Sequence, residues 1–504
     1  MKRIVSGLTV LGLFWAGALA QAQTITVGQG ADAVTLDPHG TNDQPSARVM
    51  RQIYDTLIIQ QEDLELVPGL AESWEQLDDT TWEFTLREGV TFHNGEPLTA
   101  DDVVFTFNRL TDPEVAAPAA FLLGFVESVE AADERTVRIT TQYPFAPILA
   151  HLSHTATSIL NEQAVTEAGE DYGTTTVVGT GPFSFVRWEP ATQIVLERND
   201  DWWGGEVLPE RVVFRPIIEG TVRAIELETG GIDIAYGLEP TDANRIEGGG
   251  VPGVRLETVE TLSTNYIGFN VQKEPFDDVR VRQAINHAVD VDLIIEAVLE
   301  GRAIPATGPI APAVFGARTD LEPYAYDPER ARELLAEAGL EGGFSTTIWT
   351  NDNPTRIQIA EIVQAMLLDV GINVDVQVLE WGTYLADTAE GLHDMFILGW
   401  VSVTGDADYG LYSLFHSEQM GNPGNRTFFA NERVDELLDL GRSSADEEER
   451  LAAYAEAQEI ILEEAPWLFL NITVEDNGVR DNVEGFVPHP AGHHRLHSVT
   501  ITGS

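Results

Sequence analysis

The chain has 504 residues, more than one ordinary core accommodates, so two or three domains are expected. Its 82 acidic residues against 29 Lys and Arg give a formal charge of −53, which argues against nucleic acid or an anionic membrane surface as a partner. The 43% of hydrophobic residues is too many for a disordered chain, and the absence of cysteine excludes disulfides, thiolate metal sites and a lipid-anchored N-terminus.

Residues 1–22 read as a signal peptide. Lys2-Arg3 is the charged region, Ile4 to Gly17 the apolar region, and Ala18-Leu19-Ala20 or Ala20-Gln21-Ala22 the cleavage site. A mature chain starting at Gln21 or Gln23, free in the periplasm, is expected. Thr24-Ile25-Thr26-Val27 predicts the first strand. Gly28-Gln29-Gly30 then imitates a dinucleotide loop, but Val34-Thr35-Leu36-Asp37-Pro38 cannot continue as the helix such a loop needs. Ser46 to Ile58 has helical spacing. Trp82–Leu86 and Thr136–Thr140 alternate as strands, with a turn at His93–Pro97 between them. Gly179-Thr180-Gly181-Pro182 carries a proline where a phosphate-binding helix would start, and the only lysines, Lys2 and Lys273, suit no nucleotide loop.

The stretch after 320 is the most explicit. Asp327-Pro328 caps and opens a helix with an apolar stripe of Ala331, Leu334, Leu335 and Ala338, closed by Gly339. A second helix follows Pro354, with Ile359, Ile362, Val363, Met366, Leu367 and Val370 on one face, ended by Gly371. Ile372, Val374, Val376 and Val378 alternate as a strand, so the architecture is α/β. Met395 to Trp400 is an apolar run that predicts a buried strand. It breaks into a loop, Thr404-Gly405-Asp406-Ala407-Asp408-Tyr409. Ser444 and Glu447 fit a capping box for a helix to Glu464. His489, His493, His494 and His497 read as a structural tail in preference to a metal site. Neither His-Glu-x-x-His nor Gly-x-Ser-x-Gly occurs, and no catalytic set is visible, so the chain reads as a non-enzyme. A carboxylate dyad for glycoside cleavage stays open on this reading. Trp381 and Trp400 stand at strand ends beside polar loops, where an indole suits a ligand cleft.

Several ordered segments carry a resemblance. They are Val67-Pro68-Gly69-Leu70-Ala71-Glu72-Ser73-Trp74, Phe84 to His93, Leu98-Thr99-Ala100-Asp101-Asp102-Val103-Val104-Phe105, Gly179 to Phe183, and Asp278 to Ala284. With them the mature chain resembles the family 5 extracytoplasmic solute-binding proteins of ABC importers. The resemblance implies a periplasmic binding protein fold, type II-like and cluster C, with two main lobes closing on a ligand plus an inserted domain. Lobe one would comprise 23–55, 178–264 and 479–504, lobe two 56–177, and lobe three 265–478. It implies a monomer that needs no cofactor or metal and delivers a peptide-like solute to a membrane permease.

The same resemblance implies the site. Trp381, Gly399, Trp400 and Val401 match positions that wall the pocket or pair with an extended peptide, as in strand addition. Asn42 and Asp43 match the lobe-one side. Arg356 is a candidate for a ligand carboxylate, or equally a solvated charge. Dipeptide receptors carry an aspartate where this chain has Val403, and Asp406 or Asp408 could replace it. Thr404 to Tyr409, with Leu36-Asp37-Pro38 and Asn42-Asp43, is more similar to the glutathione branch. Glutathione or a related short peptide is therefore expected ahead of ordinary dipeptides, with a nickel chelate, haem or an oligosaccharide as alternatives. A secreted hydrolase and a receptor presenting ligand to a membrane sensor are the competing functions.

Overall fold

Two long strands, Val254–Phe269 and Trp467–Arg480, form the spine of the computed structural model, which describes residues 23–421 and 424–502. The signal-peptide reading falls on residues outside that range. The two strands pair antiparallel from Val254 with Arg480 to Gly268 with Trp467, and their register shifts between Glu260 and Thr264. The shift divides one eleven-stranded sheet into two halves. On one side Trp467–Arg480 pairs with Ile234–Ala235, and Thr24–Gln29, Arg211–Pro216, Gln193–Arg198 and Phe183–Glu189 follow. On the other side Val254–Phe269 pairs with Met395–Val401, then Phe344–Asn351 and Ile372–Leu379. A separate four-stranded antiparallel sheet is built from Ala71–Gln76, Thr81–Leu86, Thr136–Thr141 and Val126–Asp133. It has its own core around Phe84, Leu86, Val103, Phe107 and Ile139, all fully or nearly fully buried.

The strongest local signals produce their elements. Asp327 accepts the Glu329 and Arg330 amides to cap Pro328–Glu337, and Gly339 follows with φ +79°. Pro354–Asp369 buries Ile359, Ala360, Val363 and Leu367, and Gly371 with φ +91° turns the chain into Ile372–Leu379. Two boundaries differ from expectation. The first helix covers Gln44–Ile53, not Ser46 to Ile58. Tyr54 is already extended, and Ile58–Gln60 is recruited as a strand against Leu66–Pro68, where β-branched Ile58 and Ile59 pack well. The helix Glu447–Glu464 is capped by Asp446, not Ser444. The Asp446 carboxylate takes the Glu448 and Glu449 amides, while the Ser444 hydroxyl donates to the Glu449 carboxylate at 2.5 Å.

Candidate functional site

The loop that enters the first helix sets one wall. Asp43 caps that helix, its Oδ1 accepting the Ser46 amide at 2.9 Å and its Oδ2 the Ser46 hydroxyl at 2.8 Å. The Thr41 hydroxyl donates to the same Oδ2 at 2.5 Å. Asp43 thus shapes the loop with a carboxylate that is already engaged, and it leaves the neighbouring Asn42 exposed. The opposite wall is the end of the buried strand Met395–Val401. Gly399 lets the Asn265 side chain lie close to the strand: a Cβ there would meet Asn265 Oδ1 at 2.6 Å, so that side chain would have to move. Together these walls enclose a cavity of about 210 Å³ bounded by Asn42, Asp43, Gly399, Trp400, Val401 and Val403. Six of the residues singled out in the sequence therefore meet at one place.

Further side chains complete the cavity. His154, Tyr409 and His493 line it. Burial lowers the His154 imidazole to about 3 and pushes His493 well below its ordinary value, so both rings are neutral at physiological pH. Burial also raises the Tyr409 hydroxyl to about 12, against a hydrogen bond with Asn42 that lowers it. The Trp400 ring lies 5.2 Å from that of Tyr409, and its Nε1 is buried without a hydrogen-bond partner among the described residues. His493 was legible only as one member of a histidine-rich tail. The buried tail includes His489, His493 and His494, and His493 alone of these three opens onto the cavity.

The strand end offers backbone as well. Ser263, Thr264 and Asn265 pair with Val401, Trp400 and Gly399 on one side. On the other side, pairing with Phe344–Asn351 stops at Phe396. Among the described residues the Gly399–Val401 edge has no strand partner there, so it can accept an added strand. Arg356 and Trp381 stand near this edge and outside the cavity. The Arg356 Nη1 donates to Asn351 Oδ1 at 3.0 Å, and its guanidinium lies 5.8 Å from the centre of the Trp381 ring. Trp381, 42% exposed, stacks on Tyr384, whose hydroxyl donates to the Ile397 carbonyl. Burial lowers the pKa of Arg356, which stays a cation.

The segment Thr404–Tyr409 departs from the expected loop. Residues Ala407–Phe415 are a helix, and Asp406 is its cap, accepting the Asp408 amide at 3.0 Å. The Asp406 carboxylate also receives two hydrogen bonds from Arg450, at 2.8 and 2.9 Å. Asp408, 1% exposed, receives Arg442 at 3.0 and 3.2 Å and faces His151 Nε2 at 3.2 Å. The Thr404 carbonyl accepts the Gln60 amide at 2.7 Å. All three side chains or carbonyls are committed to protein partners, and none of the three residues lines the 210 Å³ cavity.

Comparison with known proteins decides the family. The model "Bacterial extracellular solute-binding proteins, family 5 Middle" matches residues 65–422. The chain belongs to this family. The family 5 receptor is 31% identical over 493 residues to the glutathione-binding protein GsiB of Escherichia coli K12, covering 95% of this chain and 96% of the relative. It is 34% identical over 483 residues to heme-binding protein A of Haemophilus influenzae, with 90% and 87% covered. Its fold matches the ABC transporter-associated periplasmic binding protein DppA of Helicobacter pylori in complex with the peptide STSA. That match has a TM-score of 0.85 and 32% identity, and covers 95% of this chain and 98% of the other. The architecture is thus the type II periplasmic binding protein fold, and the chain is a solute-binding component of an ABC importer. No helix among the described residues is long and apolar enough to cross a membrane.

Proposed function

We propose that this receptor captures a short peptide or glutathione-like solute in the cavity beside Trp400 and delivers it to a membrane permease. The observation that carries this reading is the open backbone edge at Gly399–Val401, beside an indole donor without a partner among the described residues. A peptide backbone satisfies such an edge with little demand on sequence. The glutathione-binding name of a relative matched along 95% of this chain supports the choice within peptide-like ligands. The ligand is held by Asn42, Gly399, Trp400 and Val401, with Arg356 and Trp381 at the rim for a carboxylate and an apolar group. Val403 adds apolar contact. Asp43, Thr404, Asp406 and Asp408 act through the scaffold, since their polar groups are occupied as described.

Three lobes divide the work: 23–55 with 178–264 and 479–504, the insertion 56–177, and 265–478. Closing the first on the third assembles the cavity, and the permease reads that closure. The protein acts as a monomer in the periplasm after cleavage of its signal peptide, and it turns nothing over. N-terminal sequencing of the native protein returns Gln21 or Gln23. Recovery with Met1 intact, or only in membranes, overturns export.

Calorimetry against glutathione, dialanine, a tetrapeptide and nickel–histidine at moderate salt tests the ligand class. Glutathione is expected to bind most tightly. Tight dialanine binding with none for glutathione sinks the preference, and tight nickel–histidine binding alone sinks the peptide reading.

A further inference from the structure

Another, much smaller cavity of about 20 Å³ lies where the helix Gln44–Ile53 ends. Arg51, Asp55, Trp202, Arg495 and His497 are among the residues that line it. Arg51 comes from the helix and Arg495 from the C-terminal tail, so the fold brings two guanidinium groups together from opposite ends of the chain. Burial lowers the pKa of Arg51 to about 9, with Arg495 as the next cause, and burial lowers that of Arg495 as well. Both keep some accessible surface, and both line this space.

Their protein partners are neutral. Arg51 Nε donates to the Thr155 hydroxyl at 2.8 Å and its Nη2 to the Ser153 carbonyl. Arg495 Nη2 reaches the Gln60 carbonyl at 3.4 Å. Among the described residues neither forms an ion pair. The carboxylates that act on them are Asp55, which lines the same space, and Glu62, which does not. Asp55 is already held through its Oδ2 by Trp203 Nε1 at 2.7 Å, Thr180 Oγ1 at 3.1 Å and Trp202 Nε1 at 3.3 Å. The nearby imidazoles supply no counter-charge and add no further cation, since burial lowers the pKa of His154, His489, His493 and His497 alike. Two desolvated cations thus line this space against one carboxylate, Asp55, which leaves one positive charge there without a counter-charge.

We propose that this cavity is an anion site in which one small inorganic anion, chloride, bridges the guanidinium groups of Arg51 and Arg495. The volume sets the class. At about 20 Å³ it suits a single small ion in preference to a peptide ligand. The site is separate from the ligand cavity, whose lining it does not share. Its occupant stabilises the wall that Arg51 braces through Ser153 and Thr155.

Thermal unfolding of the mature protein in sodium chloride and in sodium gluconate, at one fixed ionic strength, reads the site free of general screening of the strong negative charge. The midpoint is expected to rise saturably with chloride, by about 2 °C or more, and to be insensitive to the anion in Arg495→Gln. Crystals grown in sodium bromide give an independent readout: an anomalous peak at hydrogen-bond distance from both guanidinium groups. Equal midpoints in the two salts, a chloride response that survives in Arg495→Gln, or no bromide peak between the arginines overturns the proposal. Where Arg495→Gln does not fold, the bromide peak in the unaltered protein decides.

Discussion

Replacing Arg442 by Met lowers the unfolding free energy by about 3–5 kcal/mol, the range for breaking a buried ion pair from one side. Asp408 is 1% exposed, and its two oxygens receive Arg442 Nε at 3.0 Å and Nη2 at 3.2 Å. The guanidinium lies 3.4 Å from the centre of the Tyr412 ring and 5.2 Å from that of Phe145, so packing is lost with the charge. Among the described residues His151 alone then faces the buried carboxylate. His151 packs edge-on against Phe145 of the inserted sheet's core, and Asp408 lies on the helix whose Ala407 and Leu411 are in the core of the far half, so the pair also ties the two together. Burial alone would raise the Asp408 carboxyl, but Arg442 and His151 overcome this and hold it at about 2. A depressed carboxyl stabilises the fold above its unfolded pKa, roughly 3.9, and that contribution disappears as pH falls towards 2. The unaltered protein therefore sheds about 2 kcal/mol across that window. Denaturant titrations at pH 7 and along an acid series check both statements. A loss under 1 kcal/mol for Arg442→Met at pH 7 shows that the carboxylate is satisfied without the arginine.

The same residues show where sequence reasoning stops. The helix at Asp327-Pro328 was legible because cap, proline, apolar stripe and terminal glycine act within a dozen residues of one another. The strand ending in Trp400 was legible because an apolar run breaks into polar residues. Asp406 and Asp408 were not. Their proximity to Trp400 suggested a ligand anchor, yet Arg450 and Arg442, 44 and 34 residues further on, claim their carboxylates. Nothing local reveals such partners, because the pairing is made by the packing of two helices on a third. Asp43 is the intermediate case. Its place on the cavity wall followed from the resemblance, but its role as a helix cap was written locally, in the Ser46 amide three residues on. His154 carried no signal at all: it reaches the cavity from the cap of the short turn Thr155–Thr157, whose direction depends on the whole fold.

Trp400→Ala weakens solute binding by about 2 kcal/mol or more, roughly thirty-fold in dissociation constant. The indole lines the cavity and packs on Tyr409 at 5.2 Å, between the apolar cores of the inserted sheet and of the far half. Its Nε1 donor is buried without a partner among the described residues, so a bound carbonyl or carboxylate gains a hydrogen bond that nothing in the protein competes for. Two companions separate the contributions. Trp400→Phe keeps the apolar face and removes the donor, and costs about 1 kcal/mol. Asp406→Asn leaves affinity unchanged and lowers stability, since its carboxylate serves Arg450 and the helix cap. Calorimetric titration with glutathione, or with whichever of the four test ligands binds, gives the affinities, and thermal unfolding confirms that each variant is folded. An unchanged dissociation constant in a folded Trp400→Ala protein moves the indole out of the binding site and into the core. A loss of binding in Asp406→Asn, with stability intact, restores that carboxylate as the anchor for a ligand ammonium and moves the binding site towards the Ala407–Phe415 helix.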